Sequence, residues 1–255
     1  MAIIDRPQDY FNTVLYTGNG SARTISGVGF QPDWVWVKDR TTTNYHYLYD
    51  AVRGNNLNLF SNDASAEVNV TTGQNGGGIG SQASDGFTIV AGNINTNNVN
   101  TSSNTYVSWN WKAGTSFTND ASATGIGTLD SSGSVNTDAG FSIISFTGTE
   151  TSSQSVAHGL GAVPELIISK SRDVVDNWMV YHGTYSSQQY QSLNLTTAVA
   201  SSANIWTSLP TSTVINIGDN AGVNDNGAMI MYAFRSVQGY SKFGSYTGNG
   251  NADGT

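Results

Sequence analysis

The chain states one pattern twice. Tyr16-Thr-Gly-Asn-Gly20 recurs unchanged at Tyr246-Thr-Gly-Asn-Gly250, and a relative, Phe146-Thr-Gly-Thr149, stands between them. Behind the first copy runs Gly29-Phe-Gln-Pro32-Asp-Trp-Val-Trp-Val-Lys38-Asp-Arg40. Behind the middle copy runs Gly161-Ala-Val-Pro164-Glu-Leu-Ile-Ile-Ser-Lys170-Ser-Arg172, with Gly, Pro, an acid, Lys and Arg at a constant offset of 132. The closing phrases correspond as well: Tyr106-Val-Ser-Trp-Asn-Trp-Lys112 and Met229-Ile-Met-Tyr-Ala-Phe-Arg235 are both apolar runs ending in a base. The fold must therefore be one that a segment of about 100 residues can complete and that can be built in tandem. This reading divides the chain into a first repeat at 10–114, a second at 139–245, and a third-repeat opening or tail at 246–255. Residues 115–138, rich in Ser, Thr, Gly, Ala and Asn with widely spaced apolar side chains, read as a linker.

Within each repeat the apolar period is two. Trp34 and Trp36 alternate with Val35 and Val37, so both faces of that strand are apolar and both are expected to be buried. Tyr45, Tyr47 and Tyr49 fall on one face of the next strand, with His46, Leu48 and Asp50 on the other. Phe87-Thr-Ile-Val90, Phe141-Ser-Ile-Ile144 and Val214-Ile-Asn-Ile217 read as further short strands beside turn signals. No window carries helical periodicity with caps. The fold class is all-β, as two tandem β-sandwich domains of jelly-roll type.

Charged residues make up 11% of the chain, against about 25% in an average domain. Ser, Thr, Asn and Gly supply the polar surface instead, which suits strands and turns rather than helix interiors. With no cysteine, disulfides, Cys-zinc sites and thiol catalysis are excluded. A net charge of −8 with ten scattered basic residues argues against a nucleic-acid partner or an anionic membrane surface. No apolar run approaches the roughly 20 residues of a membrane span, and residues 1–7 lack the pattern of a secretory signal.

The motifs of catalysis are weak. Gly-x-Ser-x-Gly does not occur, and His46, His158 and His182 have no metal-ligand spacing. Asp173 with Asp176, or Asp219 with Asp225, are the acid pairs a glycosidase would draw on, although loop aspartates are common for turn reasons alone. Segment 219–227 fails the alternation of a calcium loop. The glycines of Gly76-Gly-Gly-Ile-Gly80 lack the Gly-Lys-Ser/Thr of a phosphate loop. No cofactor or metal is expected, and the chain is read as non-enzymatic.

Aromatic residues carry the one binding pattern. Tyr45, Tyr47, Trp178 and Tyr181 lie in corresponding segments of the two repeats, and His182 corresponds to a neighbouring position. Aromatic faces stack on sugar rings, while a sandwich core demands the same alternating side chains. The five are therefore candidate ligand-binding residues, with core packing as the rival reading.

Together these phrases, with Tyr49-Asp-Ala-Val-Arg-Gly54, Ala157-His-Gly-Leu-Gly161 and Asn177-Trp-Met-Val-Tyr-His182, resemble a repeated domain of tailed-phage virion proteins, especially those of aquatic and cyanobacterial phages. The likeness implies a lectin-like sandwich of concanavalin A or SPRY type, placed in tail fibres or capsid-surface appendages. It implies a virion location after assembly in the host cytoplasm, with other virion proteins and copies of the same chain as partners, a trimer being the common order in such fibres. It brings no catalytic residue. The expected function is that of a virion structural protein, a tail fibre or head decoration with a role in host attachment. The alternatives are a carbohydrate-binding adhesin that recognises host glycan and, last, a polysaccharide-degrading enzyme.

Overall fold

The structure is a computed structural model and describes residues 3–71, 77–91 and 99–251. The first repeat contributes β1 (Phe11–Thr17), β2 (Arg23–Ser26), β3 (Trp34–Asp39), β4 (Tyr47–Asp50), β5 (Leu57–Phe60), β6 (Val68–Asn69), β7 (Gly78–Ala83), β8 (Gly86–Val90) and β9 (Thr105–Trp111). There follow β10 (Thr115–Asn119), β11 (Ser131–Asn136), β12 (Phe141–Thr147), β13 (Gln154–Ala157), β14 (Leu166–Ser171) and β15 (Met179–His182). The chain then runs through β16 (Gln189–Ser192), β17 (Ala200–Ser201), β18 (Val214–Ile217) and β19 (Ala228–Phe234). A three-residue 3-10 turn, Pro7–Asp9, and two four-residue helical turns, Ala121–Thr124 and Ala221–Asn224, complete the described elements.

The fold is all-β and its sheets are antiparallel. A six-stranded sheet runs β1-β9-β3-β4-β5-β6, and a three-stranded sheet β2-β8-β7 lies against it. An eight-stranded sheet runs β10-β11-β12-β19-β14-β15-β16-β17, accompanied by the pair β13-β18. The duplication is explicit in this order, because β12-β19-β14-β15-β16-β17 repeats β1-β9-β3-β4-β5-β6 strand for strand. The shared residues hold shared jobs. Gly29 and Gly161 both take positive φ, 88° and 67°, at the turn that feeds β3 or β14. Lys38 and Lys170 both fold back to donate to main-chain carbonyls of the following turn, Thr42 at 3.3 Å and Val174 at 3.1 Å.

Residues 115–138 are not a linker. They form β10 and β11, and β11 pairs along its length with β12, with Ser132 opposite Ser145 and Gly133 opposite Ile144. Ser and Gly carry no apolar alternation, yet a ladder needs only backbone N–H and C=O groups. Gly133 is required here, since a Cβ would stand 1.9 Å from the Ile143 carbonyl oxygen. Of the tail at 246–255, residues 246–251 lie outside any strand and Tyr246 is 93% exposed, while 252–255 fall outside the described residues.

Each repeat has its own core. Val35, Val37, Tyr47 and Tyr49 pack against Ile25, Phe87 and Ile89 in the first, and Ile144, Phe146, Met229 and Met231 against Val156, Ile215 and Ile217 in the second. A third core lies between the repeats, where the two large sheets meet face to face. Trp34, Leu48 and Leu59 enter it from one side, and Phe141, Ile143, Trp178, Ile230 and Tyr232 from the other. The double burial expected of β3 follows from this layering, with Val35 and Val37 facing the core of the repeat and Trp34 facing the partner repeat.

The Thr-Gly step of the recurring motif is a clasp. Gly18 N–H donates to Asn104 O and Gly148 N–H to Gly227 O, both at 2.8 Å. A Cβ at either glycine would stand 2.0 Å from a carbonyl oxygen, that of Thr101 or that of Asp225. Fully buried Asn100 and Asn224 close the same loop in the two repeats, accepting from Asn19 N–H at 3.1 Å and Thr149 N–H at 2.9 Å.

Candidate functional site

The face that the six-stranded sheet turns toward the second repeat is paved with indoles. Residues two apart on a strand share a face, and residues directly opposite each other in register share it too. Trp34 lies opposite Trp111 and Trp36 opposite Trp109, so four of the six tryptophans fall on one side of β3 and β9. Trp34 is the deepest. Its ring stacks on Tyr232 with centroids 4.5 Å apart and on Phe141 at 5.7 Å.

Toward the start of β14 the two sheets part and leave a cleft of about 280 Å³. Phe11, Trp34, Trp36 and Trp111 line one wall, Leu166, Ile168 and Phe234 the other, and Tyr240, Ser241 and Phe243 of the segment after β19 close its end. The indole Nε1 atoms of Trp34 and Trp36 are buried and find no acceptor among the described residues. Trp206 Nε1 is in the same state in the core of the second repeat, away from the cleft. An N–H left without a partner in apolar surroundings costs roughly 1–3 kcal/mol. The arrangement can hold a flat or ring-shaped molecule of low charge by its faces.

Beside the cleft, the joint between repeats is ionic. Asp50 accepts from Arg53 Nε and, at 2.6 Å, from the Tyr232 hydroxyl. Arg53 Nη1 donates to Glu67 Oε2 at 2.9 Å, and Arg172 of the second repeat clamps the same carboxylate through Nε at 3.0 Å and Nη2 at 2.7 Å. Burial and the Asp50 carboxylate push the Tyr232 phenol well above its ordinary value, which keeps it a donor. Burial lowers Lys170 to about 8, with its ammonium on the carbonyls of Ser171 and Val174.

The five candidates named from the sequence do not converge. Tyr45 is 42% exposed and stacks on Phe60 at 4.6 Å, while Tyr47 is buried in the core of the first repeat. Trp178 is fully buried in the core between the repeats, its Nε1 donating to Phe60 O at 2.8 Å and Asp63 O at 3.1 Å. Tyr181 is buried in the second repeat, edge-on to Trp206 at 6.3 Å. His182 is half-buried at the end of β15, with Nδ1 2.9 Å from Thr184 Oγ1. Tyr47, Trp178 and Tyr181 thus have no face open to a ligand, because β4 and β15 are covered on both sides. The pairing of Trp34 with Trp111 was missed, although the two Trp-x-Trp phrases that carry it stand in the sequence. Their register across β3 and β9 was the information lacking.

The acidic pairs also resolve differently. Asp173 and Asp225 both lie close to Gly227, where a Cβ would meet their Oδ2 atoms at 2.5 and 3.5 Å. Both carboxylates are spoken for, Asp173 by Ala228 N–H at 2.7 Å and Asp225 by Ser171 Oγ at 3.1 Å. Asp176 accepts from Asn177 N–H at 2.7 Å. Of the glycine-rich phrase, Gly76 lies outside the described residues.

One family model, described as a domain of unknown function, DUF7483, matches residues 6–255. The chain belongs to that family. No curated protein and no solved structure matches it. The DUF7483 match runs through both repeats and the hairpin between them, so the aromatic cleft and the ionic joint both lie within the family domain.

Proposed function

We propose that this chain is a structural component of a tailed-phage particle, two lectin-like sandwiches set in a tail fibre or a head appendage, and that it acts without catalysis. The likeness of its repeated phrases to virion domains supports the location. The observation that carries the architectural role is the joint between repeats. Tandem domains on a flexible linker bend independently, whereas here a third core and a buried ionic chain bind the two into one block. Such a joint transmits load along an appendage. The test is to label purified particles with antibody raised against this chain. Label on fibres or head surface supports the proposal, and particles that lack the chain overturn it.

A second reading concerns attachment. The cleft walled by the rings of Phe11, Trp34, Trp36 and Trp111 favours a sugar ring as ligand. Under this reading a glycan array gives a hit that Trp36→Ala abolishes while far-UV circular dichroism is unchanged. A hit that survives Trp36→Ala places the sugar elsewhere and rejects the cleft.

A further inference from the structure

We propose that β1 is an assembly edge, on which a second copy of this chain adds its own β1 in antiparallel register across a two-fold axis. The inference is independent of where the chain resides. β1 is paired on one side only, by β9, and among the described residues no strand lies on its other side. The other edges of the two large sheets are shorter: β6 and β17 have two residues each and β10 has five. Natural sheets guard long edges with Lys, Pro or a bulge. β1 has seven residues, Phe-Asn-Thr-Val-Leu-Tyr-Thr, paired without a register shift and with none of these guards.

The second repeat shows what this strand position accepts. Its equivalent, β12, is covered on that side by β11, and Ser145, the counterpart of Leu15, pairs with Ser132. Among the described residues of the first repeat no strand takes that place, and Leu15 stands 63% exposed.

The backbone identifies the register. The Asn12 and Val14 carbonyls accept from Asn110 and Ser108 side chains of β9, so they point inward and the groups of Thr13, Leu15 and Thr17 point outward. Within the chain, Asn12 Oδ1 takes the Thr13 N–H and Arg23 donates to the Thr17 carbonyl. That leaves the Leu15 N–H and C=O both open at the centre, flanked by the Thr13 carbonyl and the Thr17 N–H. An antiparallel pair centred on Leu15 uses both, exchanging two hydrogen bonds with Leu15 of the second copy and packing the two leucines together. The partner is a second copy because this centre is self-complementary.

Sedimentation velocity on the full chain from about 10 μM to about 1 mM tests the proposal, a range suited to one strand edge with few side-chain contacts. A monomer–dimer equilibrium is expected, with at least a tenfold weaker association for Leu15→Lys. Leu15→Pro removes the outward N–H without touching the β9 ladder and is expected to abolish the dimer. Hydrogen exchange at the Leu15 amide slows as wild-type concentration rises. A chain monomeric throughout, a trimer, or a dimer that persists in Leu15→Lys overturns the assignment. Far-UV circular dichroism confirms that both variants are folded; should Leu15→Pro not fold, Leu15→Lys and the exchange rate still decide.

Discussion

The Tyr232 hydroxyl donates to Asp50 Oδ2 at 2.6 Å, joining the last strand of the second repeat to the fourth strand of the first across 182 positions of sequence. Both residues are fully buried, and Arg53 Nε donates to the same carboxylate oxygen and neutralises its charge. Tyr232→Phe removes one donor from a buried charge and keeps the ring that stacks on Trp34. A loss of about 1.5–3 kcal/mol is expected, the range for a hydrogen bond to a charged group. Urea unfolding reads it as a lower midpoint at unchanged slope.

Trp34 makes the wider contact, touching Tyr232, Phe141 and Phe234 at once. Trp34→Ala should cost about 3–5 kcal/mol, as for other buried aromatics. It should also separate the repeats. Wild-type protein is expected to unfold in one transition, with fluorescence and circular dichroism coincident, and the variant in two.

His158 is a satisfied core imidazole in its neutral form. Nε2 lies 3.2 Å from Thr211 O, Nδ1 accepts from Leu160 N–H at 3.2 Å, and burial lowers its pKa to about 4 from the ordinary 6.5. Below pH 6.5 the unfolded chain takes up this proton before the folded one does. The contribution of His158 is therefore whole above pH 6.5 and drains away as pH falls to about 4, amounting to roughly 3 kcal/mol. The melting temperature followed from pH 7 to 4 should drop less steeply in His158→Gln than in wild type.

Gly18→Ala and Gly148→Ala each force a methyl against a carbonyl 2.0 Å away. Each should lower stability by about 1–3 kcal/mol through displaced backbone. Similar losses from the two variants in thermal unfolding would show that the recurring Thr-Gly is a structural clasp in both repeats.

Much of the layering was legible. The alternation Trp34-Val35-Trp36-Val37 required two buried faces, and the offset of 132 placed β3 over β14 and β4 over β15 before any coordinates. The hairpin of β10 and β11 was illegible because Ser131-Ser-Gly-Ser134 pairs through its backbone and carries little side-chain signal. Whether Trp178 faces a ligand or a core was undecided in the sequence for a related reason. Its environment is made by Phe60 and Asp63, more than 100 residues away, and no local pattern distinguishes an outward tryptophan from one that meets another sheet.

The sequence by itself determined that this chain is strand-built and duplicated, since period-two apolarity and repeated turn residues are local properties that backbone geometry reads directly. Only the tertiary structure decided that the two copies share a core, which aromatic rings remain open to a ligand, and which strand edge is left unpaired. Those outcomes depend on register and on sheet-to-sheet packing, which join residues far apart in the chain through contacts that no single segment encodes.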